Sequence, residues 1–276
     1  MTYSCHILAD SQGPNDVRLT TFEITYPRFV HSELMTHRVF SRNAASSRAI
    51  PIDKMIQQVE QNPAMPVWWG KNQSGMQAQE ELNAAEKMAA RCTWLAARDE
   101  AVLKARDLQR IGAHKQIVNR LIEPWMWITV LVTATEWANF FALRNHEDAQ
   151  PEIREIARTM EDVYNSTTPR RLRQGDWHMP LMDDLEQLKE TFSESDICLI
   201  AVGRCARVSY LTHAGVRDPK ADLALAQRLQ DSGHMSPFEH LAQALHRINR
   251  SFYGNLRGWM QFRKLLPDEE VWKRPE

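Results

Sequence analysis

In the stretch "VRLTTFEITYPRFVHSELMTHRVFSRNAASSRAIP", residues 17–51, two chemistries abut. The first half is rich in Thr, Val, Ile, Tyr and Phe and partly alternates at its start. That pattern predicts a strand passing into a helix near Pro27. The second half, "MTHRVFSRNAASSRAIP" (35–51), gathers three arginines, three serines, a histidine and an asparagine. Guanidinium, hydroxyl and backbone donors together suit phosphate oxygens, so this donor-rich segment, read as a loop, is a candidate anion or nucleotide site over residues 36–48. A solvated surface loop is the competing reading.

Working outward, "DKMIQQVEQ" after Pro51 predicts a short helix, and the Pro and Gly of "NPAMPVWWGKNQSG" predict a turn-rich break. A long scaffold helix is expected from Gln77 to Gln109, with Leu, Ala, Met and Trp at helical spacing. Further helices are expected around "HKQIVNRLIEP", "EWANFFALR" and "QPEIREIARTMEDVYN", while "STTPRRLRQGDWHMPLMDDLE" reads as loop. A final helical part holds "DICLIAVGRCARVSY", "KADLALAQRLQDSG" and "SPFEHLAQALHRI". In "GHMSPFEHLAQAL", Ser236 suits a helix cap, Pro237 the first turn and Glu239 the reciprocal capping-box position. A helix start explains those three residues without a ligand, but not His234 or His240; its free N–H groups also favour an anion. No repeat or low-complexity linker divides the chain, so a single α/β domain over residues 1–276 is expected.

The chain has 276 residues, 43% hydrophobic and 25% charged, ordinary for a soluble globular protein with a sizeable core. A formal net charge of -1 argues against a general polyanion-coating protein, so nucleic acid is not the expected partner and any anion is bound locally. Cys5, Cys92, Cys198 and Cys205 show neither paired nor Cys/His ligand spacing, so no metal site or disulfide framework is indicated, and a reducing cytoplasm fits. The start "MTYSCHILADSQG" lacks the basic and apolar regions of a signal peptide. "PWMWITVLVTATEWANFFAL" contains Glu136 and follows Glu123, and reads as buried core rather than a membrane span.

"THRVFSRNAASSR" resembles the signature RHRxxSxNxxSxR of flavin-dependent thymidylate synthases, matching at His37, Arg38, Ser41, Asn43, Ser46 and Arg48, with Thr36 in place of the leading Arg. "NRLIEP" and "NFFALRNHEDAQPEI" are similar to that family's Arg-x-x-x-Pro segment and its Asn-Phe-Leu-x-Leu-Arg helix, in family order. "ARVSY" and "GHMSPFEH" also resemble family motifs, which there lie upstream of the arginine signature; here they come last. The chain is thus identified as a circularly permuted or rearranged member. Departures are Ala44 for a usual glutamate, Glu33 for a usual glutamine, Asp148 for a usual histidine, and a shorter segment between Arg120 and Arg144.

The resemblance implies a helix-rich α/β (α+β) domain with a mainly antiparallel sheet. It also implies reductive methylation of dUMP to dTMP, with methylenetetrahydrofolate as carbon donor, FAD as redox cofactor and NADPH as reductant, in a homotetramer. Carried over by position, Thr36, His37, Arg38, Asn139, Ser209, His234 and Ser236 would contact FAD. Glu33, Ser46, Ser47, Arg48, Arg120 and Arg144 would hold dUMP, Arg144 stabilising charge on the uracil edge. Taken singly, on residue chemistry alone, the plainer readings win: Arg120 and Arg144 as salt-bridge residues on helices, Asn139 as a helix-surface residue and Ser209 as a strand-end hydroxyl. Cysteine addition to C6 would need an activated thiol, and Cys198 and Cys205 read as packing residues. Transfer of a different one-carbon unit, such as dUMP hydroxymethylation, and a non-catalytic nucleotide-binding relative are the alternatives.

Overall fold

The computed structural model describes residues 2–210, 217–267 and 269. β1 (Ser4–Gln12) pairs antiparallel with β2 (Arg18–Pro27), with a break in register between Ile7 and Ala9. Pro27 closes β2, as expected, and one 3-10 turn (Arg28–Val30) leads into α1 (His31–Met35). Next come β3 (Ser41–Ala44), α2 (Ile52–Gln61), α3 (Ala84–Arg110) and α4 (Lys115–Val118). A 3-10 segment (Asn119–Trp125) precedes β4 (Trp127–Ala134), followed by α5 (Ala138–Arg144) and α6 (Pro151–Ser166). The remainder comprises β5 (Arg170–Arg171), β6 (Trp177–His178), α7 (Leu185–Lys189), α8 (Glu194–Arg207), α9 (Pro219–Asp231), β7 (Ala242–Gln243) and β8 (Met260–Gln261).

The main sheet runs β3-β4-β2-β1-β5, and a small one runs β6-β7-β8. Of the pairings in these sheets, β1 with β5 is parallel and the others are antiparallel. The expected mixed α/β fold with a mainly antiparallel sheet is therefore present.

Every residue of β4 is buried, because both sheet faces are covered. Ile128, Val130 and Val132 pack with Phe22, Ile24 and Tyr26 against Phe140, Ile153 and Ile156 of α5 and α6. On the other face Leu131 meets Cys198, Ala201, Val202 and Cys205 of α8, together with Phe238. Threonines share that second face in cross-strand pairs, Thr21 with Thr133 and Thr25 with Thr129, whose hydroxyls bond each other at 2.7 and 2.9 Å. This accounts for the apolar run read as core; among the described residues no helix is long and apolar enough to cross a membrane.

Three local expectations are corrected. The donor-rich loop is partly a strand: Ser41–Ala44 pair with Val130–Thr133 of β4. The long helix starts at Ala84 rather than Gln77, because Asn83 and Glu86 form a reciprocal capping box and Glu81 bridges back to Gly70. "SPFEHLAQALHRI" is not an α-helix: Ser236–His240 is a 3-10 segment with no side-chain cap, after which Ala242–Gln243 enter the small sheet. Glu239, expected to close a capping box, instead pairs with Arg263 at 2.5 Å.

Candidate functional site

Asn43, on edge strand β3, is 7% exposed and donates from Nδ2 to the Cys205 carbonyl at 2.6 Å. Its Oδ1 accepts the Ser209 hydroxyl at 3.3 Å, and the Ser46 amide donates to the Ser209 carbonyl at 2.9 Å. The end of β3 is thereby fastened to the end of α8, joining residues 43–46 to 205–209 across the sheet edge. A cavity of about 420 Å³ opens there. Ser46, Arg48, Ser209, Tyr210, His234 and Ser236 are among its lining, with Leu225, Leu229 and Pro237 supplying apolar wall. Five sequence-read candidates thus meet in one place: Ser46 and Arg48 from the arginine signature, Ser209 from "ARVSY", and His234 and Ser236 from "GHMSPFEH". The volume falls in the range of small-molecule sites, and the mixture of apolar wall with a few donors is typical of them.

A second group lies around the end of α1. Arg144, the last residue of α5, donates from Nε to His37 Nε2 at 3.0 Å, from Nη1 to Glu33 Oε2 at 3.1 Å and from Nη2 to Thr36 Oγ1 at 3.0 Å. Its partners are therefore sequence-read candidates from α1 and the turn that follows it. An N–H donor at Nε2 means the neutral His37 ring carries its proton on Nδ1. Burial first, then the Arg144 and Arg42 cations, lower the His37 pKa, so the ring is neutral at neutral pH. Burial raises the Glu33 carboxyl against the opposing pull of Arg144, and Glu152 adds to the rise. Arg42 Nη1 donates to the carbonyls of Leu34, Met35 and His37 at 3.0–3.4 Å, fixing the turn that presents Thr36 and His37.

The remaining candidates lie apart from both groups or are otherwise engaged. Ser47 is 3% exposed and its hydroxyl donates to Glu123 at 2.9 Å. Arg120 pairs with the same carboxylate at 2.8 Å, three residues along its own 3-10 turn. Arg38 and Asn139 are exposed, Asn139 on the first turn of α5. Ser209 lies in a 3-10 turn rather than at a strand end. Burial pushes the Cys198 thiol up to about 12 and raises Cys205 further in the same direction, so neither supplies a thiolate. Sequence reasoning passed over His114, Gln116 and Tyr210, all of which line the cavity. Tyr210 ends a motif already noticed; His114 and Gln116 sit in "HKQ", which carries no spacing signal.

The family model described as thymidylate synthase complementing protein matches residues 12–170. The chain belongs to this family. The family assignment read from its motifs, that of flavin-dependent thymidylate synthases, is borne out. The match ends before residues 206–210 and 233–240, although both stretches contribute to the cavity that the matched part opens. Among solved structures, the chain is similar to a UMP/dUMP methylase, PolB, from Streptomyces cacaoi bound with 5-Br UMP. The TM-score is 0.50 at 17% identity, over 59% of this chain and 88% of that one. The same methylase bound with 5-Br dUMP matches with a TM-score of 0.45 at 19% identity, over 55% of this chain and 68% of that one. No curated protein sequence matches.

Proposed function

We propose that this protein methylates dUMP reductively to dTMP, with methylenetetrahydrofolate giving the carbon, FAD as redox cofactor and NADPH as reductant. The observation that carries the reading is the cavity at the sheet edge: segments from the family-matched part and from the last third of the chain place hydroxyl, imidazole and guanidinium donors around one apolar-walled space. That donor set fits a flat heterocycle with an attached phosphate. Ser46, Arg48 and Arg120 would hold the nucleotide, with Ser47 supporting them from behind through Glu123. Ser209, His234 and Ser236 would hold FAD from the cavity side, and Thr36, His37, Arg38 and Asn139 from the other. FAD, once reduced by NADPH, would supply the hydride that completes the methyl group.

Arg144 would lie against the uracil N3/O4 edge and stabilise negative charge developing on the base. A permanently charged planar donor in a water-poor site suits that role. The Arg144 group and the cavity have no residue in common within one chain, which favours assembly of each site from more than one copy, in a homotetramer. Burial of Cys198 and Cys205 as neutral thiols supports a route without a cysteine nucleophile.

Anaerobic incubation of the purified protein with FAD, NADPH, dUMP and methylenetetrahydrofolate, followed by mass analysis of the nucleotide, tests the reading. dTMP is the expected product. Unchanged dUMP, or 5-hydroxymethyl-dUMP, would refute it. Light scattering checks the assembly, and a monomer that holds FAD tightly would remove that part.

A further inference from the structure

The short stretch from His114 to Asn119 shows a division of labour that the motifs do not hint at. His114 and Gln116 face the cavity beside Ser46 and Arg48. Lys115 and Asn119 turn the other way, onto the back of the loop that carries those two residues. Lys115 Nζ donates to the Ala49 carbonyl at 2.9 Å, and Asn119 Nδ2 donates to the carbonyls of Ser47 at 2.6 Å and Ile50 at 3.0 Å. Asn119 is completely buried, and its Oδ1 has no hydrogen-bond partner. A buried amide oxygen left unpaired is unfavourable, so the two carbonyl contacts of the same amide are what this residue secures.

The consequence for the loop is electrostatic. Carbonyl oxygens at Ser47, Ala49 and Ile50 are occupied by cationic and amide donors, which offset their negative ends; Ala49 itself is among the cavity lining. Ser46 and Arg48 remain on the cavity side. His114 adds a donor of defined kind: its Nδ1 accepts the Gln116 backbone N–H at 3.3 Å, so the neutral ring carries its proton on Nε2. Arg48, the His114 Nε2–H and the Gln116 amide therefore supply donors at the cavity, a set that suits a phosphate rather than a base edge.

We propose that residues 114–119 form a further wall of the nucleotide site, with His114 and Gln116 contacting the phosphate and Lys115 and Asn119 positioning the loop of Ser46 and Arg48. This rests on the nucleotide reading above. The test compares dUMP with deoxyuridine, which lacks the phosphate, by calorimetric titration of the FAD-loaded protein, with flavin absorbance as a check on folding. His114→Ala and Gln116→Ala are each expected to weaken dUMP about tenfold to a hundredfold, the worth of a hydrogen bond to a charged group, and to leave deoxyuridine unchanged. Lys115→Met, a milder change than any at buried Asn119, is expected to weaken dUMP severalfold with no change in flavin absorbance or in deoxyuridine affinity. If the wild type binds dUMP and all three variants bind it equally well, this proposal is wrong while the nucleotide reading stands. Equal weakening of dUMP and deoxyuridine overturns the phosphate assignment. A wild type with no affinity for dUMP overturns the nucleotide reading itself.

Discussion

Acid should unfold this protein through a buried chain of hydroxyls and imidazoles crossing the sheet. His178 bonds Ser11 through Nδ1 at 2.9 Å and Thr21 through Nε2 at 2.8 Å; Thr21 continues to Thr133, and Thr133 to His240 Nδ1 at 2.7 Å. Both rings are at most 1% exposed, and His240 Nε2 has no partner. Burial lowers each pKa from 6.5 to about 3, with the other histidine adding to the effect at His178. Between about pH 3 and 6.5 the unfolded chain therefore binds protons that the native protein excludes, and stability rises with pH across that window and is full above it. At about pH 5 the deficit is on the order of 2 kcal/mol per ring, or about 4 kcal/mol together, against a total stability of order 5–15 kcal/mol. His31, lowered to about 4 by burial and then by Arg28 and Arg42, acts in the same sense. Asp184, held down by its bond to Arg204, and Glu269, where burial is outweighed by Lys264 and Arg263 together, lose their contribution only below their ordinary carboxylate range.

Urea unfolding followed by tryptophan fluorescence at several pH values from about 5 to 7.5 measures this dependence through linked proton uptake. The informative variant is His240→Asn, which retains a side-chain partner for Thr133. Whatever its absolute stability, its slope with pH should fall by about 1.4 kcal/mol per unit below pH 6, one proton's worth. Stability that is flat from pH 7.5 to 5, or an unchanged slope in the variant, would refute the reasoning.

Three other outcomes are expected. Arg144→Ala should lower thymidylate formation about 100- to 1000-fold while flavin absorbance stays near normal, and Arg144→Lys should rescue poorly because lysine lacks the planar fork; near-normal turnover in Arg144→Ala would contradict the assignment. Its half-buried pairing with Glu33 should contribute only about 1 kcal/mol to stability, read from urea midpoints. Ser46→Ala should weaken dUMP binding in titrations, as expected of a ligand to the nucleotide; intact binding with complete loss of turnover would instead make it a nucleophile. Gly203→Ala should destabilise the fold by about 1–3 kcal/mol in thermal unfolding, because a Cβ there would run into the Asp222 backbone of α9.

Legibility in the sequence followed the range of the forces involved. The turn at Pro27, α2 and α6 were readable because proline geometry and helical periodicity act within a few residues. β1 escaped notice: its apolar Cys5, Ile7 and Ala9 alternate, but the register breaks between Ile7 and Ala9 and the strand is short of large side chains. The start of α3 was in fact written in "NAAE", a capping box of Asn83 and Glu86, but the charged residues before it imitate the same helix. "SPFEH" carried the same local signal and failed, because Glu239 finds Arg263 and the chain beyond is drawn into β7. Local capping chemistry is worth about 1 kcal/mol and yields to partners that only the fold can bring near.

The site obeys the same rule with a different result. Its arginine signature was readable because a dense cluster of guanidinium and hydroxyl donors, which would suit a phosphate, is conspicuous in one dimension. Its walls were not, since "HKQ" looks like any polar helix surface until Lys115 and Asn119 are seen gripping the loop behind it. What joins the distant motifs is equally non-local. The Asn43 side chain holds the Cys205 carbonyl, and the Ser46 amide holds the Ser209 carbonyl. These bonds depend on β3 lying at the sheet edge beside the end of α8, and not on which segment precedes the other in the chain. A rearranged motif order is therefore compatible with one assembled cavity, provided that every rearranged segment still reaches that edge; Ala206, Ser209 and Tyr210 do so at the C-terminal end of α8, and His234, Ser236 and Pro237 just after α9.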